Sequence, residues 1–212
     1  MITFTASIED VLFDVVDALR VPVLLAVLLA LAVALIELGA LGVELRRRRR
    51  RRRPATLEQA ATTARQALLG GDRATAATAL RSAATSTAMA QVLVLVLGSV
   101  GHASAENRIA KALADFDLAS LRRLERTRML VRAGPALGLM GTLIPLSPAL
   151  AGLAQGNVQQ LSDNLRVAFS ITVLGLLVGA IAFGISLVRD RLYAQDFSDV
   201  EYLAATLVEP AT

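Results

Sequence analysis

Cysteine and tryptophan are absent, histidine occurs once, and aromatic residues make up only 4% of the 212 positions. Without thiols there are no disulfides and no thiolate metal clusters. With His102 as the one histidine, a paired-histidine metal site is excluded and a Ser-His-Asp triad is disfavoured. No P-loop occurs, and the carboxylates lie on amphipathic surfaces, so the chain does not read as an enzyme. Charge is scarce as well: 19% of residues are charged and 55% are hydrophobic, with a mean hydropathy of +0.57. A soluble domain carries more charge, about 25%. Here the apolar residues gather in long uncharged blocks, which is the pattern lipid demands rather than a buried core.

What charge there is clusters. Arg46, Arg47, Arg48, Arg49, Arg50, Arg51, Arg52 and Arg53 form one unbroken run directly after an apolar segment and account for much of the pI near 10.5. A basic run beside a membrane span is retained on the cytoplasmic side and attracted to anionic lipid. We therefore read these eight residues as a membrane-surface cluster and expect no nucleic-acid binding.

Seven regions follow along the chain. Residues 1–20 are amphipathic: Ile8, Val11, Leu12, Val15, Val16 and Leu19 share one side, with Glu9, Asp10, Asp14 and Asp17 opposite. That segment suits a membrane surface. It lacks the basic start of a secretory signal, so the next apolar helix is read as retained. Residues 21–43 form the first predicted span, long enough to cross the hydrocarbon core. Its single acid, Glu37, either snorkels to the interface or pairs with an arginine. Residues 44–132 are predicted to be a cytoplasmic helical region. It has an αα-hairpin break at Gly70-Gly71-Asp72, a short apolar stretch at Gln91–Val100 suited to a buried helix, and a charged helix from Ala105 to Arg132. Residues 133–153 and 168–188 are two further spans without a charged residue. Residues 154–167 form the polar loop between them, and residues 189–212 a mixed tail.

Basic residues cluster after span one, before span two and after span three. The positive-inside rule then puts the N-terminus outside and the C-terminus in the cytoplasm of a cell membrane. The predicted fold is an all-α integral membrane protein.

Spans two and three carry small residues at helical spacing: Gly134, Gly138, Gly141, Pro145 and Pro148 on one, Thr172, Gly175, Gly179, Ala182 and Ser186 on the other. Such faces let backbones approach closely in lipid. Two arrangements satisfy them: the two spans pack on each other, or they surround a helix or aqueous path contributed by a partner. Thr142 and Thr172 favour the second, because each places a hydroxyl near the middle of a span. A hydroxyl is equally satisfied by its own helix carbonyl. Neither span supplies the ionisable group that an ion path needs at membrane depth.

The segment RAGPALGLMGTLIPLSPALAGLAQG (Arg132–Gly156) resembles the second-span signature of the MotA/TolQ/ExbB proton-channel family. NLRVAFSITVLGLLVGAIAFGISLVRDRLY (Asn164–Tyr193) is similar to that family's third span. The resemblance covers roughly residues 91–200 and is closest to the three-span TolQ and ExbB type. It implies a homopentameric ring around two copies of a single-span partner of the ExbD/TolR/MotB type, whose membrane aspartate takes the ion. It also implies that Thr142 and Thr172 line the ion path, that Gly138, Gly141, Pro145, Gly175 and Gly179 face the lumen and partner helices, and that the protein needs no cofactor beyond the transported proton. Many members have a glutamate five residues before the third-span threonine, where this chain has Val167. A structural or signalling membrane scaffold is the alternative.

Overall fold

The computed structural model describes residues 2–51 and 57–208, which form seven α-helices and no strand. Arg52 and Arg53 lie outside the described residues, as do the side chains of Arg50 and Arg51. In order the helices are α1 (Ile2–Ala18), α2 (Arg20–Arg51), α3 (Leu57–Leu69), α4 (Arg73–Ala83), α5 (Thr87–Ser99), α6 (Ala105–Ala154) and α7 (Val158–Val208). Three stretches are long and apolar enough to cross a membrane: Val11–Arg49, Ala105–Ala154 and Val158–Val208.

Contacts divide the chain into two compact units, residues 1–39 with 126–186, and residues 40–125 with 187–212. In the first unit, Val23, Val27, Ala30 and Ala34 of α2 are buried, one helical face at steps of four, three and four. Ala30 and Ala34 meet Val178 of α7, with Leu130, Leu137 and Ile181 around them. The opposite faces expose Leu25, Leu29 and Ile36 of α2, Leu139 and Leu143 of α6, and Phe169 and Val173 of α7. So much exposed apolar surface is unfavourable in water but suits a hydrocarbon surround.

Three prolines lie inside α6 (Pro135, Pro145 and Pro148), and the helix runs through all of them. Each removes one helical N–H, which membrane helices tolerate where neighbouring groups fill the gap. The helix therefore does not restart at residue 133, where the apolar stretch begins.

The polar loop predicted at 154–167 is much shorter than expected. Gly156 adopts φ +77°, its N–H reaches the carbonyl of Leu153 at 2.9 Å, and that of Asn157 reaches Gly152 at 2.9 Å. This Schellman pair satisfies the last carbonyls of α6. The Asn157 side chain then accepts the N–H of Gln160 at 3.0 Å, so α7 starts at once and the remaining polar residues are helical.

The second unit has a conventional apolar core. Leu80, Met89, Leu93, Val96, Val200 and Leu203 have no exposed surface, and they join Ile109 and Phe116 of α6 in one cluster. Each such side chain contributes about 1.5–3 kcal/mol on leaving water. The apolar stretch around Val92–Leu97 is thus a buried helix, as its length predicts. The break at Gly70-Gly71-Asp72 also forms as expected, with Gly71 at φ +79°.

Asp72 caps α4. Its carboxylate accepts the Ala74 N–H at 3.1 Å, the Thr75 N–H at 3.0 Å and the Thr75 hydroxyl at 2.5 Å. The Thr75 hydroxyl first, then the backbone N–H groups, hold this exposed carboxyl below its usual range. A lowered folded pKa stabilises the fold above the unfolded value, and that contribution disappears as pH falls through the folded value. Asp72→Asn retains an N-cap without a charge to titrate. Melting followed by circular dichroism should show the wild type losing stability relative to this variant as pH drops below about 4; parallel curves would contradict the assignment.

Candidate functional site

The small residues of the second and third spans meet each other. A Cβ built on Gly134 would lie 2.7 Å from the carbonyl oxygen of Gly175, and one on Gly175 would lie 2.7 Å from the Cα of Gly138. Real Cβ atoms do not approach backbone so closely, so α6 and α7 touch main chain to main chain. A Cβ on Gly141 would collide with Ile171, and one on Gly179 would stand 2.9 Å from the Pro135 ring and 3.5 Å from the Val131 carbonyl oxygen. That carbonyl is the acceptor whose helical donor Pro135 lacks. Pro145 is buried in the same unit.

Gly138, Gly175 and Gly179 make a close approach between α6 and α7 of this chain, the first of the two arrangements open from the sequence, and Gly141 faces the Ile171 side chain. The side of each helix that lacks Cβ atoms is covered by the other.

Thr142 is half-buried, and its hydroxyl donates to the Leu139 carbonyl at 2.7 Å. The Thr172 hydroxyl has two acceptors, the Ala168 carbonyl at 3.2 Å and, across the interface, that of Gly138 at 3.4 Å. Among the described residues no hydrogen bond joins the two threonines to each other. Between Ala133 and Leu153, and again between Ala168 and Val188, no side chain is ionisable. These helices thus offer hydroxyls and carbonyls, which can solvate a passing proton or hydrated ion, but no group to hold a proton as a discrete step. The described residues contain no cluster of acids and histidines able to hold a metal.

At the polar end of the first unit, Arg20 donates to Asn164 Oδ1 at 3.4 Å. Asn164 is buried, and Asp163 beside it accepts from Gln159 at 3.3 Å.

A charged cluster in the second unit was not foreseen. Arg48 is only 7% exposed, and its two terminal nitrogens donate to the two oxygens of Asp196 at 2.7 Å each. It also bonds Glu44 at 3.2 Å, while the Thr85 hydroxyl donates to Asp196 at 2.5 Å. Glu44 lies 3.8 Å from Arg189. Arg48 thus departs from the lipid-facing role expected of its run, because its charge is spent inside the protein. Arg46, Arg47 and Arg49 are exposed. The spacing of Glu44 and Arg48 signals a helical pair, but nothing local points to Asp196. Removing one member of such a buried pair costs about 3–5 kcal/mol.

The backbone contact makes a direct prediction. Gly175→Ala should destabilise the chain by about 1–3 kcal/mol, because backbone must move. Gly184→Ala, where a Cβ meets open space, should be neutral or slightly stabilising. Unfolding in detergent micelles measures both, and equal effects would contradict the packing.

A comparison with characterised proteins finds no significant match to this sequence. Residues 98–195, however, match the model of the MotA/TolQ/ExbB proton channel family. The match takes in all of α6 and α7 as far as Gln195, including the glycine contact and both threonines. Over these residues, which contain the α6–α7 contact, the chain is similar to the MotA/TolQ/ExbB proton channel family.

Proposed function

We propose that the chain is the ion-conducting subunit of a membrane energy-transducing motor, with the proton as its ion. Five copies form a ring around two single-span helices of the ExbD/TolR/MotB type, and ion flow through the complex is converted into mechanical work across the envelope. The N-terminus lies outside a cell membrane, the C-terminus lies in the cytoplasm, and the exposed arginines of the basic run meet anionic lipid. Thr142 and Thr172 belong to the ion path. Gly138, Gly175 and Gly179 hold α6 and α7 at close approach to form the wall of the ring, and the stripe they share with Gly141 and Pro145 borders the lumen and the partner helices.

The observation that carries this reading is the pair of uncharged, hydroxyl-bearing helices within the family match. A conduit without a titratable group needs its carboxylate from another chain, and a membrane aspartate on a partner helix supplies it. The family is a channel family rather than an enzyme family, in keeping with the missing nucleophile, metal and phosphate motifs.

A membrane scaffold that moves no ion is the second reading. Two observations favour it: the glycine faces are occupied within the chain, and both threonine hydroxyls bond to helix carbonyls.

Proton flux through the wild-type complex separates the two readings, and Thr172→Val tests the site, since it removes the hydroxyl and nearly preserves shape. In proteoliposomes holding the complete complex, the variant should assemble normally and conduct protons about tenfold more slowly, a loss equivalent to one hydrogen bond to a charged species. Undiminished proton flux would remove Thr172 from the path.

A further inference from the structure

The second unit contains a cavity of about 280 Å³ between the end of the apolar part of α2 and the start of α5. Ala40 and Val43 give it an apolar wall, Arg47 follows them one turn further along α2, and Arg123 of α6 adds a second positive charge. Glu44 and Arg48 also line it, but their charges are engaged. Arg48 faces Asp196 at 2.7 Å, and Glu44 is shared between Arg48 at 3.2 Å and Arg189 at 3.8 Å. Two arginines against two carboxylates cancel, so the charge of Arg47 and Arg123 remains.

The first residues of α5 complete the wall. Ser86 caps the helix by accepting the Met89 N–H at 3.1 Å. Thr87 and Ala88 line the cavity and carry first-turn N–H groups, which have no acceptor within the helix. The positive end of the helix dipole adds to the arginine charge there.

We propose that this cavity binds a phosphate ester, and that the apolar wall selects the headgroup of an anionic phospholipid. Arginine matches phosphate oxygens with paired donors, and helix N-terminal amides favour the same anion. Ala40 and Val43 lie at the end of the apolar stretch of α2, so a glycerol backbone and the start of an acyl chain have an apolar surface to follow. The site is distinct from general attraction of lipid to the basic run, and it does not depend on ion conduction, because a scaffold would hold the same headgroup.

Native mass spectrometry of the full chain, released from bilayers of phosphatidylglycerol and phosphatidylcholine, tests the site. The wild type should retain phosphatidylglycerol in preference to phosphatidylcholine. Arg47→Gln/Arg123→Gln should weaken that retention by about tenfold or more. Ala40→Phe, which narrows the apolar wall without changing charge, should weaken it too. Arg46→Gln/Arg49→Gln removes the same charge from exposed positions of the run and should retain the lipid. Equal loss in both double variants would reduce the effect to diffuse attraction and overturn the proposal. A parallel melting experiment uses inorganic phosphate and glycerol 3-phosphate. Stabilisation by these that vanishes in Arg47→Gln/Arg123→Gln, without lipid retention, would keep the phosphate site but overturn its lipid occupant. No retention and no stabilisation would overturn both.

Discussion

Backbone contact between α6 and α7 at Gly134, Gly138, Gly175 and Gly179 is the constraint around which the first unit is arranged. In lipid the hydrophobic effect does not drive helices together, so association rests on close packing and polar contacts. Glycine lets two main chains meet where any Cβ would hold them apart, and here Cβ positions on both helices fall within 2.7 Å of the opposite backbone. The same contact brings the Gly138 carbonyl to the Thr172 hydroxyl and seats Gly179 against the Pro135 ring. The turn of α6 where Pro135 leaves the Val131 carbonyl without its helical donor is thereby packed against α7.

That arrangement leaves a pair of helices rich in carbonyl and hydroxyl dipoles and empty of ionisable side chains. Such a pair can form the wall of a conduit but cannot supply the group that takes up and releases a proton. The proposed motor role rests on this incompleteness and on the family match over residues 98–195, and it assigns the carboxylate to a second protein. The second unit is held by different forces: an apolar core around Leu80, Met89 and Leu93, and a buried ion pair between Arg48 and Asp196. That pair ties α2 to α7 within the unit, with Thr85 from the loop before α5 bonded to both partners.

Much of this was legible in the sequence because the signals were local. Runs of about twenty residues with at most one charge mark the three apolar stretches, and Gly70-Gly71-Asp72 marks a turn because Gly71 supplies a left-handed backbone conformation. Gln91–Val100 is too short to span, and it is buried in a core. What the sequence left open was which surface covers which. The glycine repeats are equally suited to an internal neighbour and to a partner helix, and only the structure pairs Gly134 with Gly175. Asp196 lies 148 residues from Arg48, beyond any periodicity, so a residue that reads as part of a lipid-facing run is buried instead. The polar composition of residues 154–167 reads as a loop, whereas Asn157 caps a helix that begins immediately.

The central claim is that this chain forms a ring that is incomplete without a single-span partner. The most direct measurement is the mass of the detergent-solubilised complex, alone and co-expressed with a single-span protein bearing a membrane aspartate. The account predicts a pentamer whose mass rises by two partner chains. A monomer or dimer whose mass ignores the partner would contradict it.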